Sequence, residues 1–412
     1  MIDYSRHVLS NGLTVLLHED HTTPLVAVNT LYRVGARDEE PDRTGFAHLF
    51  EHLMFGGTPC VEDYDFQVNS VGGESNAFTN NDYTDYYLTV PSPFLETALW
   101  LESDRMRRLT FSQRSLEVQQ HVVTEEYHQR YVNQPYGDAW MLLRPLCYKV
   151  HPYRWCTIGR RIEDVQSASL DDVRRFFFRH YRPNNAILAI AGAIDCEATL
   201  ALVERWYGDI EPGQLEPRCL PQEPAQCEAR SQMVHRAVPA DALYMAYPTC
   251  GRAEADFAAF DLLSDVLSNG RSSRLYHRLV REQAMFTEVD AYVTGEADPG
   301  LFVVSGKLSE GVDPESAARA VDEQLQLLTR GDVGSDELQK VVNKEATTFA
   351  YSQYKAIDRA MSLCYYEWLG HTEWVNTEPD RYRQLSPHDL QRVAAATFRP
   401  DRCSTLYYLK QS

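Results

Sequence analysis

The feature that most constrains this chain is a segment that occurs twice. Residues 169–183 read SLDDVRRFFFRHYRP and residues 386–400 read SPHDLQRVAAATFRP. They align without a gap at an offset of 217 residues, so that Ser169, Asp172, Arg175, Arg182 and Pro183 meet Ser386, Asp389, Arg392, Arg399 and Pro400. Each copy reads as a helix with a serine N-cap, stopped by Arg-Pro. Each is followed by a stretch of strand character, residues 186–192 and 404–409. An offset near half of a 412-residue chain implies a duplicated domain.

The stretch 208–230 is rich in Pro, Glu and Gln and has no apolar period, so it reads as an extended connector. The expected division is an N-terminal domain over 1–207, a linker over 208–230 and a homologous C-terminal domain over 231–412. Alternation predicts strands over 13–17, 26–32, 85–90 and 301–307. Helical periodicity predicts helices over 44–55, 93–109, 113–131, 255–267 and 314–328. Long helices with short strands imply an α+β fold: two duplicated domains, each a mainly antiparallel sheet packed with helices.

Charge excludes one class of partner. The net charge of -19 and the pI near 5.1 are wrong for nucleic acid, whose phosphates need a basic surface. No apolar run approaches the roughly 18 residues of a membrane span, so no membrane partner is expected. The nine cysteines are odd in number, irregularly spaced and without a C-x-x-C pair. This argues against a disulfide framework and against a cysteine zinc site, and suits reduced thiols. The first residues, Met1 to His7, lack the apolar core of a signal peptide. A cytoplasmic location is therefore expected, and a periplasmic one only if a signal has been removed.

The chemistry concentrates in Gly45-Phe46-Ala47-His48-Leu49-Phe50-Glu51-His52-Leu53-Met54-Phe55. On a helix, His48 and His52 share a face, and two imidazoles on adjacent turns can grip one Zn²⁺. Glu51 sits beside that face without being a ligand, where a carboxylate can take a proton from water and return it to a leaving amine. Phe46, Leu49, Phe50, Leu53 and Phe55 mark the helix as buried. A catalytic zinc needs a third protein ligand and an open position. The predicted helix 113–131 offers His121, Glu125, Glu126 and His128, and periodicity alone does not choose among them.

His48-Leu49-Phe50-Glu51-His52, followed by Val122-Val123-Thr124-Glu125-Glu126-Tyr127, resembles the pitrilysin or insulinase family of inverted-zincin metallopeptidases, in particular its short bacterial members. Leu9 to Val15, Gly35-Ala36-Arg37, Gly56-Gly57-Thr58, Gly72 to Thr79 and Gly270 to Tyr276 are similar to family segments as well. The resemblance implies one Zn²⁺ per chain on His48, His52 and Glu126, with Glu51 as the catalytic base. It implies endopeptidase action on peptides or small unfolded polypeptides, held in a closed chamber as a strand added beside Asn76 and Ala77. It implies pairing of two chains, as a homodimer or with a related subunit.

Two positions depart from the family pattern. Gln119 stands seven residues before Glu126, where many active members have Glu. Arg281 matches a substrate-binding Arg, but Glu288 stands where its partner Tyr is expected, and Tyr292 lies out of register. They set a second reading beside the first: a catalytic subunit active only with a partner chain, or a non-catalytic scaffold subunit.

Overall fold

Both copies of the repeated segment fold as capped helices, Leu170–His180 and Pro387–Thr397. Ser169 Oγ accepts the Asp172 N–H at 3.3 Å while the Asp172 carboxylate accepts the Ser169 N–H at 3.1 Å. Ser386 and Asp389 repeat this at 3.4 and 2.9 Å. These reciprocal bonds satisfy first-turn donors that a helix cannot pair internally. A short 3₁₀ turn follows each helix, and then a strand.

The computed structural model describes residues 1–411. Six strands, β1 (Ser5–Val8), β2 (Thr14–Glu19), β3 (Leu25–Tyr32), β4 (Glu74–Thr79), β5 (Thr84–Pro91) and β6 (Ala186–Gly192), form one sheet in the order β1-β2-β6-β3-β5-β4. Five more, β7 (Arg230–Arg236), β8 (Ala242–Pro248), β9 (Phe286–Val293), β10 (Leu301–Leu308) and β11 (Ser404–Lys410), form a second in the order β7-β11-β8-β10-β9. In each sheet the strand after the repeated helix lies between a parallel neighbour and an antiparallel one: β6 between β2 and β3, β11 between β7 and β8. All other pairings are antiparallel. The first sheet differs only by the extra edge strand β1. The duplication inferred from fifteen residues thus extends to strand order and direction.

The chain forms two compact units in alternating segments. Unit 1 comprises 1–127, 155–220 and 350–377; unit 2 comprises 128–154, 221–349 and the chain from Glu378 onward. Each half of the sequence therefore lends a helix to the other half's sheet. Ala356–Leu369 packs on β3 and β6 in unit 1, and Ala139–Cys147 packs on β8 and β11 in unit 2. This explains why β6, AILAIAG, is apolar without alternation: every residue of it is buried. No helix among the described residues is long and apolar enough to cross a membrane.

Unit 2 also holds partly buried carboxylates. Asp261 and Asp265 lie on the helix Phe257–Ser268, and Glu345 on Ser335–Tyr351. Burial, reinforced by Asp261, Asp265 and Glu378 against the pull of Arg252, raises the Glu345 carboxyl to about 7. A carboxyl raised on folding favours the folded state below its unfolded value near 4.5, and this contribution is lost as pH rises through about 7. Glu345→Gln is therefore expected to raise the melting temperature above pH 7 and to leave it unchanged near pH 4. Allowing for solvent screening at this partly exposed position, the gain is about 1–2 kcal/mol. Thermal melts of both proteins across pH 4–8 check this, and equal slopes against pH would count against it.

Candidate metal centre

The motif helix is Phe46–Leu53, shorter at both ends than the predicted 44–55. It starts late because Gly45 adopts a left-handed conformation with φ of 86°. A Cβ at Gly45 would lie 2.7 Å from both Ile158 O and Val165 Cγ2, so no other residue fits there. Phe46, Ala47, Leu49, Phe50 and Leu53 are buried, which fixes the roll of the helix. Phe50 stacks on Phe176 and Tyr181 at ring distances of 4.9 and 5.2 Å. Tyr86 donates to the Phe50 carbonyl at 3.2 Å. Below the helix, Arg105 is fully buried and stacks over Tyr86 and Tyr64 at 4.5 and 4.7 Å, with Glu102 as its counter-ion at 2.6 Å.

The second contributing helix is Gln113–Tyr127, followed by a π-helical turn over His128–Val132 in place of the predicted continuous helix. Its buried residues are Leu116 and Val123, and Gln119 and Glu126 follow them on the same face. Glu125 points to solvent.

His48 Nε2 and His52 Nε2 each lie 3.4 Å from the same oxygen, Glu126 Oε2. One ligand atom from each residue falls within 4.8 Å of the others. The imidazole planes cross at 81° with centroids 4.9 Å apart. Charge-assisted hydrogen bonds would be about 2.7–2.9 Å long. Two ligand atoms held about 2.0–2.1 Å from one tetrahedral ion are separated by about 3.3–3.4 Å. The spacing therefore fits a shared cation better than a pair of direct hydrogen bonds. His48 is buried, and His52 and Glu126 are partly so. Two imidazoles and one carboxylate are donors of the kinds that a catalytic zinc takes.

Glu51 is half-buried on the same helix. Its charge contributes to raising the hydroxyl pKa of Tyr86, Tyr87 and Tyr181, where burial is the leading cause. Tyr87 is the register partner of Asn76 across β5 and β4, so Glu51 acts on the part of the sheet next to β4.

β4 pairs only with β5 and forms the edge of its sheet, beside the helix Phe46–Leu53. Asn76 is exposed and Ala77 buried. The Ala77 N–H donates to Asn76 Oδ1 at 2.8 Å. It is therefore turned away from β5 and covered by its neighbour's side chain, one way of blunting an edge. Sequence reasoning missed this cover.

The remaining residues lie in unit 2. Arg281 is exposed on the π-helical segment Tyr276–Glu282. Glu288, exposed on β9, pairs with Lys307 on β10 at 2.8 Å. Tyr292 is on the same strand but packs against Trp140 at 6.4 Å in the cluster under the helix Ala139–Cys147. Four residues of strand, about 13 Å, separate it from Glu288.

Two family profiles match the chain. One, described as Insulinase (Peptidase family M16), matches residues 14–138, and one, described as Peptidase M16 inactive domain, matches residues 167–345. The first span contains His48, Glu51, His52 and Glu126. The second contains Phe257–Ser268, whose sequence FAAFDLLSDVLS has neither histidine nor glutamate. The chain is similar to a Helicobacter pylori protein named zinc protease PqqE, 28% identical over 410 residues, spanning 98% of this chain and 91% of that one. It is similar to an uncharacterized zinc protease, YmxG of Bacillus subtilis, 25% identical over 339 residues, spanning 81% of this chain and 80% of that one. The crystal structure of a protease from Helicobacter pylori superposes with a TM-score of 0.92 at 26% identity, covering 99% of this chain and 100% of that one.

Proposed function

The chain belongs to the insulinase family, peptidase family M16, and on that premise we propose that it is a zinc-dependent endopeptidase that holds peptides or small unfolded polypeptides as a strand added to β4. The observation that carries this reading is the approach of His48 and His52 to one oxygen of Glu126, 3.4 Å each, with Glu51 on the same helix. His48 Nε2, His52 Nε2 and Glu126 Oε2 would hold the metal. Bound there, zinc supplies Lewis acidity, which polarises a carbonyl and brings the pKa of water toward about 7.

The carboxylate of Glu51 takes the proton of the attacking water and returns it to the leaving amine. β4 binds the substrate through its main chain, which selects an extended peptide with little regard to its side chains. A substrate carbonyl would replace Asn76 Oδ1 on the Ala77 N–H, so the bond at 2.8 Å marks a position already suited to an acceptor. Arg281 is assigned to the substrate backbone.

The pairing of Glu288 with Lys307 supports a second reading, in which a related subunit supplies the missing tyrosine and the isolated chain is a silent half or a scaffold. A cytoplasmic setting, with a second copy or a related subunit as partner, accords with nine free thiols.

Hydrolysis of a quenched fluorescent peptide mixture by the purified chain, with and without a zinc chelator, tests the proposal. Chelator-sensitive cleavage is the expected result. A chain that holds zinc and cleaves nothing would move the assignment to the partner-dependent or scaffold reading.

A further inference from the structure

We propose that the turn 35–39 sets the spacing between the histidine helix and the β4 edge, with Glu39 as the positioning residue for the two imidazoles. This rests on the peptidase reading above. A helix begins with N–H groups that have no internal partner, and the residue before it normally supplies an acceptor side chain. Gly45 has none. Glu39, six residues upstream, supplies both acceptors: Oε2 takes the Gly45 N–H and Oε1 the Ala47 N–H, each at 2.9 Å. Glu39 is buried, and these two bonds favour its ionised form against the cost of burial. The residue after Ala47 is His48, and His52 stands one turn further on.

The other end of the turn is bound to the β4–β5 connection. The Ala36 and Arg37 N–H groups donate to the carbonyls of Asn80 and Asn81 at 3.1 and 2.8 Å. Arg37 pairs with Asp82 at 2.9 Å, and both are buried. A Cβ on Gly35 would lie 2.5 Å from Asp82 N, so the two backbones touch. Trp155 Nε1 donates to the Ala36 carbonyl at 2.9 Å. One short turn, with no exposed link in this chain of bonds, thus joins the edge expected to carry substrate to the helix expected to carry metal. Binding groups held by such outer contacts lose about 10–100-fold in metal affinity or activity when the contact is removed.

The test is metal affinity, which does not depend on turnover. Glu39→Gln keeps the side-chain shape but turns an amide N–H₂ toward a backbone N–H. The expected result is a folded protein, by circular dichroism and melting of the metal-free form, whose Zn²⁺ affinity in chelator competition is about 10–100-fold weaker. The visible spectrum of its Co²⁺-loaded form should also change. Parental affinity and spectrum in folded Glu39→Gln would overturn the proposal. Should that variant not fold, Trp155→Phe decides in the same way: it removes one donor from the turn, keeps an aromatic ring, and should shift affinity in the same direction. A parental chain that takes up neither metal would instead bring down the peptidase reading itself.

Discussion

Glu51→Gln is expected to keep zinc at one ion per chain and to lower peptide turnover by on the order of 10²–10⁴-fold, the usual contribution of a positioned proton-transfer group. The amide has the shape of the carboxylate, so the helix Phe46–Leu53 should not move. Its Nε2 atoms and Glu126 remain as they were, because Glu51 is outside the group whose atoms lie within 4.8 Å. What changes is that position 51 no longer accepts a proton. The loss should therefore fall on kcat, with KM little altered, because strand addition to β4 does not involve Glu51. Steady-state kinetics alongside metal analysis would measure this. Turnover within tenfold of the parent in a zinc-replete variant would mean that another group takes the proton.

Much of this was legible because the periodicities were local. His48 and His52 four apart, among Phe46, Leu49, Phe50 and Leu53, already imply a buried helix face carrying two imidazoles. The third ligand was harder, since His121, Glu125, Glu126 and His128 all lie within two turns. The structure brings Glu126 beside the two histidines, because Leu116 and Val123 turn inward and carry Glu126 with them, while Glu125 faces solvent. The duplication was legible in two capped helices, and the sheets extend it to every strand but β1.

The exchange of helices had no local signal. An amphipathic helix declares that one face is covered, not which sheet covers it, so nothing in Ala139–Cys147 or Ala356–Leu369 reveals that each packs on the sheet built by the other half. Nor does anything local in Asp38-Glu39-Glu40 single out the middle residue. Glu39 is buried there only because a left-handed glycine, six residues later, leaves backbone donors that need an acceptor.

Glu126→Gln is expected to weaken zinc binding by more than the roughly 10–100-fold typical of outer-contact changes, because it removes an ion's direct ligand. It also removes the only negative charge in the group, leaving two neutral imidazoles and an amide for a divalent cation. Metal that binds only the folded chain stabilises it by about 4 kcal/mol at a thousand times its Kd. Adding Zn²⁺ should therefore raise the melting temperature of the parent and leave that of Glu126→Gln nearly unmoved, and peptide hydrolysis should be lost with the metal. Glu125→Gln is the matched control: the neighbouring carboxylate is exposed and outside the group, so zinc content, melting and turnover should stay as in the parent. Should the two variants exchange these behaviours, the carboxylate ligand would be Glu125, and the helix Gln113–Tyr127 would have to rotate by about 100° about its axis to present it.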